Sequence, residues 1–284
     1  MLDTLIQGLL LGGLYALFAL GLSLMFGVMR LTNIAHGDFI VLAGFAGVLV
    51  AGALGGQAWP AALLVIPIAF GLGWLLQRHL LNRTYGRDPL PSLVVTFGLS
   101  IVVQNALLEF LSADPRSLPT GGLSTASFAL GQTQVGVLPL AIFCVALGCT
   151  AALQWLFART AVGRAFRAVS DDRSIAELMG LDSMRVYALA TAVAFALIAL
   201  AGVLQAMRTT VAPTDGPQLL IYAFEAVIIG GMGSFWGTLI GALVLGVVQQ
   251  IGFRFDPGWG IWFGHLVFLA MLVVRPQGLF PKTR

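Results

Sequence analysis

Long apolar runs separated by short polar breaks organise the chain. They lie near 4–28, 35–55, 58–77, 90–111, 134–157, 185–207, 219–232, 235–253 and 259–274. A helix needs about 20 apolar residues to cross the hydrocarbon core, where backbone polar groups must be satisfied within the segment. The pattern predicts an all-α, polytopic membrane helix bundle of eight or nine hydrophobic segments. The run 219–232 is short and ends in Gly230-Gly231-Met232-Gly233-Ser234. It is expected to be either a ninth full span or a broken, re-entrant half-helix.

The basic residues orient this pattern. With nine crossings, Arg30, Arg78, Arg83, Arg87, Arg159, Arg164, Arg167, Arg173, Arg185, Arg275, Lys282 and Arg284 share one side. Arg116, Arg208 and Arg254 lie on the other. Loops rich in Lys and Arg stay in the cytoplasm, so the amino terminus is expected outside a bacterial inner membrane and the carboxyl terminus inside. The outer loops 112–133, 208–218 and 254–258 are too small to capture a solute. The chain reads as one domain, 1–284.

Composition narrows the classes. Only 10% of the residues are charged and 58% are hydrophobic, against roughly 25% charged in a soluble domain. The solvent for most of the chain is therefore lipid. A net charge of +3 without a basic cluster interleaved with aromatics gives no nucleic-acid footprint. Cys144 and Cys149 fall in one apolar run and read as small hydrophobes. Met1-Leu2-Asp3 lacks a basic leader, so the first span is expected to be retained. No G-x-x-x-x-G-K-[ST] loop occurs, and the single lysine is Lys282. The chain therefore carries no ATPase site of its own, and no cofactor or metal is expected here.

The segment 159–184 carries more order than a plain hairpin needs. Asp171 suits the N-cap of a short helix over 172–179, and Gly180 suits its C′ position with Leu181 following. Asp182 or Ser183 can cap the next span. Ile175, Ala176, Leu178 and Met179 give the short helix an apolar side. Docking into a partner and lying on the bilayer surface both fit such a helix.

Four stretches, in order, resemble the branched-chain amino acid permeases of ABC importers. They are Phe26-Gly27-Val28-Met29-Arg30-Leu31-Thr32-Asn33-Ile34-Ala35-His36-Gly37-Asp38-Phe39; Pro91 to Ser100 with Gln104-Asn105; Gly163-Arg164-Ala165-x-Arg167-Ala168 with Asp171 and Ala176-x-x-Met179-Gly180-Leu181; and Gly230-Gly231-Met232-Gly233-Ser234-x-x-Gly237. The resemblance spans nearly the whole chain. It implies a coupling segment carrying Gly163, Arg164, Arg167, Asp171, Ala176, Met179 and Gly180. It also implies a second homologous permease subunit, two cytoplasmic ATPases and a periplasmic substrate-binding protein. Leucine, isoleucine and valine are the family's usual solutes, and similar permeases carry urea or short amides. This chain departs from the family in carrying Asp38 where Glu is usual, and an acid at Glu225.

Polar groups within apolar runs are the remaining candidates, because lipid penalises them. Asn33 is expected to cap the second helix, with His36 and Asp38 at the cytoplasmic interface; a gate is the alternative. Gln104, Asn105, Glu109 and Glu225 suit either interhelical hydrogen bonds or a pathway lining. Gly233, Gly237 and Gly241, like Gly8 and Gly12, recur every fourth residue and predict close helix packing. Two rival classes stand beside the importer. An ion-coupled secondary transporter or channel would show several intramembrane acids or a broken-helix pair in each half; one broken segment and scattered acids are visible here. An intramembrane enzyme would need converging residues, whereas His36, His79 and His265 are dispersed.

Overall fold

The computed structural model describes residues 1–84, 90–130 and 133–280. The helices in chain order are Leu2–Met29 (α1), His36–Ala53 (α2), Ala58–Thr84 (α3), Leu90–Leu111 (α4), Val137–Arg159 (α5), Ala161–Asp171 (α6), Arg173–Leu178 (α7), Ser183–Arg208 (α8), Gly216–Gly230 (α9), Phe235–Phe255 (α10) and Trp259–Val274 (α11). Among the described residues, α1, α2, α3, α4, α5, α8 and α10 are long and apolar enough to cross a membrane. α9 and α11, with 15 and 16 residues, are shorter. The nine apolar runs thus become seven full-length helices and two short ones. A two-stranded hairpin, Ser127–Leu130 with Thr133–Gly136, interrupts the all-helical pattern in the loop before α5.

α1 is the axis of the bundle: 83% of its apolar window is buried, against 11% for α4. α10 runs antiparallel along it, held at backbone distance by glycine. A methyl added at Gly8 would lie 2.6 Å from the Val247 Cα, and one at Gly12 equally close to the Leu243 Cα. Further along the seam Thr238 donates a buried hydrogen bond to Ser23 (2.8 Å). α8 packs on the other side of α1 and carries α2 and α3.

Two contacts identify the ends of the bundle. Arg254 at the end of α10 reaches Thr4 at the start of α1. Ser170 of α6 donates to the carbonyl of Gly27 at the end of α1 (2.7 Å). Described arginines of the larger set, from Arg30 to Arg275, gather at the α6–α7 end. Arg87, Lys282 and Arg284 lie outside the described residues.

The least expected feature follows Arg30, which ends α1 in a left-handed conformation (φ 55°). Residues 31–35 do not form an interfacial turn. They climb back beside α1 without helical structure, and α2 starts only at His36, whose Nε2 meets the carbonyl of Phe18 (2.7 Å). Phe18 precedes the end of α1 by eleven residues, or about 16 Å at 1.5 Å per residue. That is half of a 30 Å hydrocarbon core. α2 therefore begins near the middle of the membrane. α9 begins there too, because Gly216 packs against Gly37 and Asp38. α2, of spanning length with 18 residues, and the 15-residue α9 thus start opposed at mid-depth.

Candidate functional site

The first candidate is the α6–α7 hook. Thr160 caps α6 by accepting from the Gly163 N–H (3.0 Å). Gly163 sits so close to α5 that a Cβ there would lie 2.5 Å from the Phe157 Cα. Glycine is what permits the chain to fold back at this corner. Phe166 and Val169 are buried, with the Phe166 ring 5.4 Å from that of Phe157. Arg164 points to solvent and Arg167 is half-buried.

Asp171 remains the last residue of α6, and Asp172 caps α7 instead, accepting from the Ile175 N–H (3.0 Å). The other end closes as a Schellman motif: Leu181 N–H donates to the Ala176 carbonyl and Gly180 N–H to that of Glu177, both at 3.0 Å. Gly180 carries the positive φ (85°) that this closure requires. Asp182 caps α8. Glu177 accepts from Arg173 within α7 and from the Ser183 hydroxyl. The Ser183 hydrogen bond, then Arg173, holds its carboxyl below the usual range.

This six-residue helix is thus tied at both ends, and it turns only Ala176 inward. Ile175 (60% exposed), Leu178 (87%) and Met179 (81%) project together at the end of the bundle rich in arginine. Exposed apolar groups concentrated on so small and so fixed an element suit either a docked partner or the bilayer surface. Sequence reasoning missed Thr160, Asp172 and Glu177 in this frame.

The second candidate is the midplane junction of α2 and α9. Asn33 does not cap α2; its Oδ1 accepts from the Ala35 N–H (3.0 Å), two residues on. Asn33, His36 and Asp38 are all buried, which corrects their expected interfacial position. Asn33 Nδ2, His36 Nδ1 and Asp38 Oδ1 have no hydrogen-bond partner among the described residues. Asp38 lies in the first turn of α2 and against Gly216 at the start of α9. Two helix N-termini therefore meet at one carboxyl.

The other polar candidates are not brought to this junction. Gln104 is half-buried on α4, while Asn105 and Glu109 are exposed, the Asn105 amide donating only to its own helix at Ile101 (2.8 Å). Glu225, on α9, is buried and hydrogen-bonded to Nδ1 of His265 on α11. Nearby, Tyr15 stacks on Tyr222 (4.8 Å) and donates to buried Gln249 (2.6 Å). Sequence reading missed this network; its only signal is polar residues in four separate apolar runs. Gly237 and Gly241 face α9, where a Cβ at Gly241 would lie 2.5 Å from the Gly230 nitrogen. Gly233 stands in the turn before α10, with φ 82°. Among the described residues no cluster of three or more His, Cys, Asp or Glu could hold a metal.

Comparison with known proteins places these features in context. The family model described as "Branched-chain amino acid transport system / permease component" matches residues 4–275. The high-affinity branched-chain amino acid transport system permease protein BraD of Pseudomonas aeruginosa is 29% identical over 300 residues, covering 99% of this chain and 96% of the relative. The corresponding LivH protein of Escherichia coli K12 is 27% identical over 296 residues, with the same coverage. A chain of the solved structure of PsaBC from Streptococcus pneumoniae in complex with Fab aligns with a TM-score of 0.53. It covers 95% of this chain and 91% of its own, at 11% identity. That likeness concerns the fold alone.

Proposed function

Since the chain belongs to the permease family of branched-chain amino acid transport systems, we propose that it forms half of the membrane pathway of an ATP-driven importer. The other half is a second, homologous permease. Branched-chain amino acids, or a related small amino acid or amide, are the solutes, delivered by a periplasmic binding protein. Two cytoplasmic ATPase subunits bind ATP and magnesium, and this chain supplies no ATPase site. It is a multi-pass protein of the bacterial inner membrane, and its α6–α7 end faces the cytoplasm.

The observation that carries this reading is the doubly capped α7, with Ile175, Leu178 and Met179 exposed on it. A rigid knob of this kind transmits displacement, since it cannot absorb the motion by local unfolding. Closure of the ATPase pair would push α7, and α6 would pass the motion to α1 through the Ser170–Gly27 hydrogen bond and to α5 through Phe166–Phe157. Gly163, Arg164, Arg167 and Asp171 shape and charge the approach to the knob.

The test is ATP-driven leucine uptake in proteoliposomes holding the complete complex with Leu178→Asp. A carboxylate placed in an apolar socket costs several kcal/mol when it is desolvated. Uptake and ATPase co-purification are expected to fall together while the permease still inserts. Unchanged uptake with normal assembly would refute the docking role. Uptake by the chain alone under an ion gradient would instead favour a secondary transporter, with the Glu225–His265 pair as its coupling site.

A further inference from the structure

At the α6–α7 end of the bundle, outside the hook, a cavity of about 360 Å³ opens between the end of α3 and the start of α8. Trp74, Arg78, Asn82, Arg83, Asp182 and Arg185 line it. Three guanidiniums stand against one carboxylate, and that carboxylate already pairs with Arg185 (2.9 Å). Arg78 and Arg83 have no carboxylate partner among the described residues. Among the described residues its lining is therefore cationic.

Its wall is built by the fold. Residues Gln77–Leu81 form a π-turn. In an α-helix, residues five apart lie about 140° apart around the axis. A π-turn, which pairs i with i+5, brings such residues towards one face, and so sets Arg78 and Arg83 side by side. The turn is locked from within by buried Gln77. Its Oε1 accepts from the Thr191 hydroxyl (2.8 Å), and its Nε2 donates to Asn82 Oδ1 (2.9 Å). Asn82 in turn donates to the Met184 carbonyl (3.3 Å). Asn82 is thus consumed by the scaffold, and the arginines remain as the ligand-binding groups.

An apolar strip leads away from the cavity along α3. Leu64, Ile68 and Leu75 are exposed, spaced along one side of the helix, and at Gly71 nothing lies within 4 Å of an added Cβ. Trp74 stands where strip and cavity meet, the usual place of an amphipathic ring at headgroup level. We propose that the cavity holds the headgroup of an anionic phospholipid, with its acyl chains along Leu64, Ile68, Gly71 and Leu75. Acyl chains lying on this face would add contacts that a free phosphate cannot make. Basic pockets between membrane helices bind such headgroups. Placing the lipid in the cytoplasmic leaflet rests on the orientation proposed above; the site itself does not.

The experiment is native mass spectrometry of the complex, purified in mild detergent and incubated with phosphatidylglycerol, cardiolipin or phosphatidylcholine. Retention of an anionic lipid, and not of phosphatidylcholine, is expected. Arg78→Gln with Arg83→Gln should lower that retention by about thirty-fold, at roughly 1 kcal/mol per arginine. Arg78→Lys with Arg83→Lys, which keeps the charge, should retain most of it and so exclude misfolding as the cause. Equal retention by the wild type and the Gln variant would overturn the site. Full displacement of the lipid by millimolar inorganic phosphate would reassign it to a soluble anion. Loss of the ATPase subunits with lipid retention unchanged would assign the arginines to that partner. None of these readouts needs transport, so a wrong solute or uptake mechanism leaves them interpretable.

Discussion

Replacing Gly37 by alanine tests the midplane junction directly. The added methyl would fall onto the start of α9, 2.8 Å from both the Gly216 carbonyl carbon and the Leu220 nitrogen. Both are backbone atoms, so no rotamer change relieves the clash and the two helices must separate. Overpacking of this kind costs up to about 3 kcal/mol. Gly98 is the control: it lies within α4 with nothing inside 4 Å. Alanine there should gain about 1 kcal/mol in helix propensity. The assay is unfolding of the purified permease in mixed micelles by rising SDS, followed by circular dichroism. Gly37→Ala should shift the midpoint down and Gly98→Ala should leave it level or raise it. Equal midpoints for the two variants would refute the claim that α2 and α9 meet at their N-termini.

Three further outcomes are expected. In a background lacking Cys144 and Cys149, a cysteine at Ser124 should be labelled by a membrane-impermeant reagent in intact cells and one at Ser174 should not; the reverse pattern inverts the proposed orientation. Because Glu177 ionises below its ordinary value near 4.5, its contribution to α7 is fully present above that pH and lost as pH falls through the lowered value. Hydrogen exchange over 173–181 should therefore quicken in acid, and Glu177→Gln should remove that pH dependence; an unchanged profile in the variant assigns it elsewhere. His265→Ala leaves the buried Glu225 carboxyl without its hydrogen-bond partner and should destabilise by about 1–3 kcal/mol, whereas Glu225→Gln keeps a hydrogen-bonding side chain and should cost less. Equal losses in SDS unfolding would show that the pair contributes nothing as a pair.

Hydropathy located the nine apolar segments because lipid tolerates so few polar groups that composition nearly equals position. It did not reveal depth. Leu31 to Ala35 read as an interfacial turn, since Thr32-Asn33 is polar and short, and nothing local says that the chain turns back to the midplane. The shortness of the 219–232 run exposed α9, although its glycines mark the turn into α10 beside Gly27 and not the mid-depth start at Gly216; the mid-depth start of α2 left no such trace, because the helix that follows is of spanning length. Between Asp171 and Asp172 the cap could not be chosen from residue type, as both are aspartates; the length of α6 decides it. Glu225 and His265 stand forty residues apart, and only the packing of α11 on α9 joins them. The π-turn likewise has no one-dimensional signature, and without it Arg78 and Arg83 would point apart.

The glycine seam between α1 and α10 also limits how this protein can move. Backbones in contact at Gly8, Gly12 and Gly246 interlock like teeth, so neither helix can slide a rung along the other without first lifting away. α9 is geared to α10 through Gly230, Gly237 and Gly241. These three helices form a keel that travels as one piece, and shape change is left to the thinly packed outer wall, α4 first.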